Sequence, residues 1–475
     1  MNKTITWISA LLLAGVMLLT ACGEDRTGEY IAKTEQTHWI EAQMSENYLW
    51  YSDIPSLSET DYFSKADVFF PKLLSSKDRF SYIEMLDTTS TRTPHILANS
   101  TYGFEYILTT DPTGTTSRIF ARVGLVLPGS PAKQAGLKRG DWIILADGKN
   151  LSTSNSTLLE QGAGVTLALD SLVYDQEQTK WAWKDDTTYL DVPASVYMEN
   201  NPIFLTTVYT TASGKKVGYM VYNEFKTGPT PNDPSDTTFM ADMQKQFAAL
   251  KNEGVTHFVL DLRYNNGGYV QVAQELASVL APASALGGEF AHLEFNDKQQ
   301  SRNYAIDLST QYSSSNLNLS DLYVLTGAYT ASSSELIING LRPYMNVYIV
   351  GVQTVGKNVA ASQINSPYHF IIFPITATVY NKNNESDYAN GFTPDYAIDE
   401  DQYAVWYELG NPQEVLLKNA LSLIETGVAP DVDTSTSSVS ARTGTGKRSP
   451  KLHIRVKERY SSWGKKQRPA ILTEP

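Results

Sequence analysis

Ser332-Ser333-Ser334-Glu335 and, one strand further on, Lys357 are the residues of this chain whose types and spacing could do chemistry. The four-residue run has the form of a capping box, which opens a helix. A serine at that point has backbone N–H groups nearby that can receive the charge of a developing oxyanion. Lys357 stands among Val355, Gly356, Val359, Ala360 and Ala361, neighbours that solvate an ammonium poorly and favour its neutral form. To act as a general base near neutral pH, a lysine must fall about 3 units from its reference pKa of about 10.4, roughly 4 kcal/mol between protonation states. Burial can supply that difference. A serine hydroxyl that gives its proton to such a lysine becomes a nucleophile for acyl transfer.

The elements that must position these groups follow from the flanking pattern. Leu322-Tyr323-Val324-Leu325 is a short apolar run of strand type, Thr326-Gly327 a turn, and Ser332 to Leu341 a helix. Pro343 breaks the chain, Val347-Tyr348-Ile349-Val350 forms a second buried strand, and Gly351 to Gly356 leads to Lys357. Upstream, Phe258-Val259-Leu260-Asp261-Leu262-Arg263 is another buried strand ending in Tyr264-Asn265-Asn266-Gly267-Gly268, where paired glycines let the backbone approach a bound group closely. Asp261 and Arg263 read as a structural pair, because buried charges need partners.

This unit resembles the active-site region of the C-terminal processing peptidases, also called tail-specific proteases, which use a Ser/Lys dyad. Their Ser-Ala-Ser-Ala-Ser-Glu run, laid on Thr330 to Glu335, puts the nucleophile at Ser332, with Ser334 the fallback, and the base at Lys357. Their Asp-Leu-Arg-x-Asn-x-Gly-Gly motif falls on Asp261 to Gly268, and the resemblance assigns the oxyanion hole to the amide of Gly267 or Gly268 together with that of Ser333. Two positions depart from the pattern. Ala361 stands where the family often has an assisting glutamine, the nearest here being Gln363, and the Arg342-Pro343 stretch replaces a usual aspartate. His369 is the alternative base, as in tricorn-type relatives.

A second resemblance covers Val123-Gly124-Leu125-Val126-Leu127, Gly129-Ser130-Pro131-Ala132 and Gly136 to Ile144, a succession of strand, capped short helix, glycine turn and strand similar to a PDZ domain. Tyr102, Gly103 and Phe104 sit where such domains keep the loop that captures a peptide C-terminal carboxylate, adding the peptide as a strand. The resemblance implies an α/β fold: a crotonase-like peptidase core, a preceding PDZ domain and a small helical N-terminal domain, with no cofactor. Gly391-Phe392-Thr393-Pro394-Asp395 matches the turn near the end of that core.

The whole chain sets the frame. Its 475 residues and 42% hydrophobic content allow several sizeable cores. The net charge of −13 hides an asymmetry, for the stretch from Arg442 onward is strongly basic and everything before it more acidic still. An acidic body argues against nucleic acid as a partner. One cysteine rules out a disulfide framework, and six scattered histidines form no cluster of zinc spacing, so no metal is expected. Lys3, an apolar run from Ile5 to Leu19, and then Leu19-Thr20-Ala21-Cys22 read as a targeting segment resembling the bacterial lipobox, with Cys22 the lipidated residue.

The expected organisation is therefore a lipoprotein signal peptide over residues 1–21, a linker over 22–30, a helical domain over 31–95, a PDZ domain over 96–195, the peptidase core over 196–425 and a disordered basic tail over 426–475. The expectation is a serine endopeptidase lipid-anchored in a bacterial cell envelope, on the periplasmic or outer-membrane side, acting on proteins or peptides with accessible C-termini. The alternative is a catalytically inactive peptide- or ligand-binding lipoprotein of the same fold.

Overall fold

The computed structural model describes residues 27–86, 100–199, 201–230, 233–431, 451–452, 454–460 and 471–472. The targeting segment and Cys22 lie outside the described residues. No helix among the described residues is long and apolar enough to cross a membrane.

The core is a six-stranded sheet in the order Ile203–Thr210, Lys216–Tyr222, His257–Asp261, Asp321–Thr326, Asn346–Gly351 and Tyr396–Ala397. Its first pair is antiparallel and the rest are parallel. The parallel strands read as unbroken apolar runs because helices cover both faces of the sheet. Helices Thr238–Asn252, Val270–Leu280 and Ser333–Leu341 bury Phe247, Leu276 and Ile337 against one face. Helix Val415–Thr426 buries Leu416, Ala420 and Leu423 against Tyr219, Val259 and Leu325 on the other. In sheets of this kind a site forms beyond the carboxyl ends of the strands, and Arg263, Gly267 and Ser332 all follow such ends.

The N-terminal helix Thr27–Asn47 places Ile40, Met44 and Tyr48 on one stripe, packed with Phe69, Phe70 and Leu73 against Val359, Ala361 and Phe370 to Phe373. It starts inside the stretch expected to be linker, where Tyr30 packs edge-on against Phe63 at 5.4 Å and secures its first turns. Strand Tyr82–Met85 then pairs with Phe370–Phe373, so this domain is joined to the segment that follows Lys357.

The PDZ-like domain is a six-stranded antiparallel sheet: Val456–Tyr460, Phe104–Thr110, Ile119–Val126, Trp142–Ala146, Gly164–Asp170 and Thr188–Pro193. Its first strand comes from the tail, and this corrects the expectation of disorder over the described part of 426–475. Leu452, Ile454 and Val456 alternate with polar residues, the period of a half-buried strand, and Leu452 is buried beside Phe120 and Trp142. The basic composition masked that alternation. A second tail segment, Ile471–Leu472, runs parallel to Val359–Ser362.

A buried ionic network joins the two domains. Arg263 meets Asp261 at 2.8 Å, Glu414 at 2.7 Å and Glu400 at 2.6 Å, while Arg139 of the PDZ-like domain meets Glu400 at 2.6 Å. Asp261 also accepts the Tyr219 hydroxyl at 2.8 Å. The pairing of Asp261 with Arg263 read from the sequence is present.

Candidate active site

Ser332 is the residue before helix Ser333–Leu341, and its backbone is held at φ +59°, ψ −116°. A non-glycine residue in such a conformation costs about 1–3 kcal/mol and persists only where its surroundings fix it. Two contacts fix it here. The Ser332 N–H donates to Glu335 Oε2 at 2.9 Å, and the segment packs so closely on Gly267 that a Cβ there would lie 2.8 Å from the Ser332 Cβ. The neighbouring serines are committed to the scaffold: Ser333 Oγ donates to the Gly268 carbonyl at 2.7 Å and Ser334 Oγ to the Asn265 carbonyl at 3.1 Å. Ser334, the fallback nucleophile, is thus fully buried and turned toward the strand end.

Glu335 does more than cap. Its Oε2 also accepts the Lys357 N–H at 2.8 Å, and its Oε1 accepts the Gly356 N–H at 2.7 Å and the Thr354 hydroxyl at 2.6 Å. One carboxylate therefore ties the start of the helix to the loop that carries the lysine. Burial pushes the Glu335 carboxyl upward, and the Thr354 hydroxyl and the three N–H groups oppose this by stabilising the anion.

Lys357 is 2% exposed, and its Nζ has no hydrogen-bond partner among the described residues. Burial drives the ammonium down to about 7, against the opposing pull of the Asp78 and Glu335 charges. The Nζ lies 5.5 Å from the centre of the Phe80 ring. Arg79 donates to the carbonyls of Gly356 at 3.1 Å and Ala389 at 2.8 Å, clamping the loop just before the lysine. Asp78 is itself held by the Tyr48 hydroxyl at 2.8 Å and by the N–H groups of Phe80 and Ser81. Gln363, the nearest glutamine, donates to Asn365 at 3.1 Å.

The amides expected at an oxyanion hole divide into two kinds. The Gly267 N–H is taken by Asn265 Oδ1 at 2.8 Å. Those of Gly268 and Ser333 meet no acceptor among the described residues. Gly268 cannot be replaced by a larger residue, since a Cβ there would lie 2.1 Å from the Phe225 carbonyl oxygen.

At the PDZ-like loop, Tyr102 donates its N–H to the Glu160 carbonyl at 3.0 Å and Gly103 to Thr101 Oγ1 at 2.9 Å. Phe104 is buried in the domain core. Neither the Tyr102 nor the Gly103 amide is therefore open to a terminal carboxylate. Among the described residues no group of three or more His, Cys, Asp or Glu side chains is placed to hold a metal ion.

The sequence reading missed Asp78, Arg79 and Phe80 as parts of the site. An acid, a base and an aromatic in consecutive positions of a connecting segment are the available signal.

A helical domain and a parallel α/β core, joined to a PDZ-like domain, thus hold a serine and a buried lysine tied to one carboxylate. The description "Peptidase S41 N-terminal domain" matches residues 35–82, "PDZ domain" residues 122–161 and "Peptidase family S41" residues 216–398. A solved structure described as a putative S41 protease from Bacteroides fragilis is 35% identical with a TM-score of 0.72, covering 82% of this chain and 97% of its own. The carboxyl-terminal-processing protease of Picosynechococcus is 29% identical over 251 residues, 51% of this chain and 52% of that protein. That of Synechocystis is 24% identical over 311 residues, 64% of each. The chain spans about half to two thirds of the length of these curated relatives. It belongs to peptidase family S41.

Proposed function

We propose that this chain is a serine endopeptidase of the C-terminal processing type, with Ser332 as nucleophile and Lys357 as general base. The observation that carries the reading is the Glu335 carboxylate oxygen that accepts the backbone N–H of both residues while the lysine Nζ stays buried and without a hydrogen bond among the described residues. A buried neutral amine is suited to take the Ser332 hydroxyl proton as Oγ attacks a peptide carbonyl. The Gly268 and Ser333 N–H groups are the available donors to the resulting oxyanion. The Lys357 ammonium then returns its proton to the departing amine, leaving an ester on Ser332. Lys357 next deprotonates a water that attacks the ester, and the acid and the free serine are released. The substrates are proteins or peptides with accessible, unstructured C-terminal tails, and Cys22 anchors the mature chain to a bacterial envelope membrane through lipid.

The competing reading is a peptide-binding member that does not turn over, and it draws on the absence of a hydrogen bond between Lys357 Nζ and Ser332. Cleavage of an unfolded protein with an apolar C-terminus, followed by gel and mass spectrometry, separates the two. The expected result is cleavage by the native chain and loss of at least ~10³-fold in Ser332→Ala, the scale of removing a nucleophile. A folded native chain that binds the substrate without cutting it establishes the binding protein instead.

A further inference from the structure

The tail strand Val456–Tyr460 lies on the edge of Phe104–Thr110, the strand that follows the Tyr102-Gly103 turn. The pairing is antiparallel, with Val456 opposite Thr109 and Tyr460 opposite Tyr106, so the tail advances toward that turn. This is the edge and the direction in which a peptide adds itself as a strand to a domain of this kind. Side chains fill the place as well. The Tyr460 ring stacks on Tyr106 at 4.9 Å, and the Tyr106 hydroxyl reaches the Ser156 carbonyl at 3.1 Å, so Tyr460 sits where the strand meets the short helical turn Ser156–Leu159. The Tyr102 and Gly103 amides are already satisfied within the fold, which suits a segment that runs through the groove rather than one that ends in it.

The same segment reaches the candidate active site. The Arg459 guanidinium lies 5.1 Å from the ring of Tyr329, on the loop that leads to Ser332, and 5.2 Å from that of Tyr264. Further along, Ile471 and Leu472 pair with Ala361 and Ser362, on the strand that begins just after Lys357.

We propose that the chain's own C-terminal segment is an intramolecular ligand of the peptide groove, so that an incoming substrate tail must displace strand Val456–Tyr460 to enter. This rests on the peptidase reading above for the identity of the competitor. A groove occupied in cis binds an external peptide with an affinity reduced by the fraction of time it stands empty. Weakening the cis strand therefore strengthens external binding without touching Ser332 or Lys357.

The test uses the full chain carrying Ser332→Ala and a labelled, unstructured peptide with an apolar C-terminal residue. Fluorescence anisotropy gives the affinity, and amide hydrogen exchange reads the tail strand. Saturating peptide is expected to speed exchange across Val456–Tyr460. Adding Tyr460→Ala, which removes one stacked aromatic pair, is expected to tighten peptide binding roughly three- to tenfold. In the chain that retains Ser332, Tyr460→Ala lowers KM by the same factor and leaves kcat unchanged. Leu452 stays in place as an anchor, and unchanged far-ultraviolet dichroism confirms the fold.

Peptide that binds without changing exchange at Val456–Tyr460, or an affinity that Tyr460→Ala leaves unaltered, makes the tail a structural strand and overturns the inference. In that case cleavage by the native chain continues and the peptidase reading stands. Failure of every variant to bind peptide, together with no cleavage by the native chain, defeats the peptidase reading and this inference with it.

Discussion

Lys357 and Arg263 are both buried cations at the carboxyl edge of the same sheet, and they are treated in opposite ways. Burial by itself would lower the pKa of each. At Arg263 the charges of Asp261, Glu414 and Glu400 outweigh it, and the guanidinium is held well above its ordinary value. At Lys357 no hydrogen bond among the described residues answers burial, and the ammonium is brought down to about 7. The difference separates architecture from chemistry. A cation surrounded by carboxylates is locked in one protonation state and can only hold elements together, whereas one left without partners can gain and lose a proton near neutral pH.

The comparison breaks most visibly at the lysine. Lys357→Met is expected to lower cleavage by 10²–10⁴-fold or more, the range of a general base, as read by initial rates on an unfolded substrate. The same change is expected to raise stability at pH 7 by roughly 1–3 kcal/mol, because the thioether side chain carries no charge to desolvate. Denaturant unfolding measures it. The sign with pH follows from the depressed value: between about 7 and the unfolded lysine's range the unfolded chain holds the extra proton, so native stability rises with pH through that window. Cleavage is likewise expected to rise through one deprotonation near pH 7 as the base becomes neutral.

Glu414→Ala provides the contrast. It strips Arg263 of a buried partner and is expected to destabilise the fold by about 3–5 kcal/mol, while the kcat of the folded fraction stays within a few-fold of the native chain. Unfolding curves paired with single-turnover assays check this. Loss of kcat at unchanged stability would place the network in the catalytic machinery.

The smallest effect sharpens the comparison. The Phe80 ring face favours the ammonium form of Lys357, a contact worth about 0.5–1 kcal/mol in general. Phe80→Leu is expected to move the midpoint of the pH–rate curve downward by a fraction of a unit, and the acid limb of kcat/KM measures it.

The sequence made the strands around the site legible because parallel strands covered on both faces are continuous apolar runs, and it made the serine run and the Gly-Gly turn legible because their chemistry is local. It could not show which amide faces an oxyanion. That depends on where one side chain goes, and Asn265 spends the Gly267 N–H while leaving that of Gly268. Asp78, Arg79 and Phe80 escaped notice because their contact with the lysine loop is long-range and comes from another domain. The tail strand escaped because Glu458 interrupts its apolar phase and the lysines and arginines around it give the stretch a basic composition.

Glu335 Oε2 is the single point to which the backbones of Ser332 and Lys357 are both pinned. In mechanical terms it is a common pivot: a shift of the helix start carries the lysine loop with it, and the spacing between nucleophile and base is buffered against breathing of the sheet. What remains adjustable is the lysine side chain alone, so the step from resting to reactive geometry reduces to rotation about a few carbon–carbon bonds.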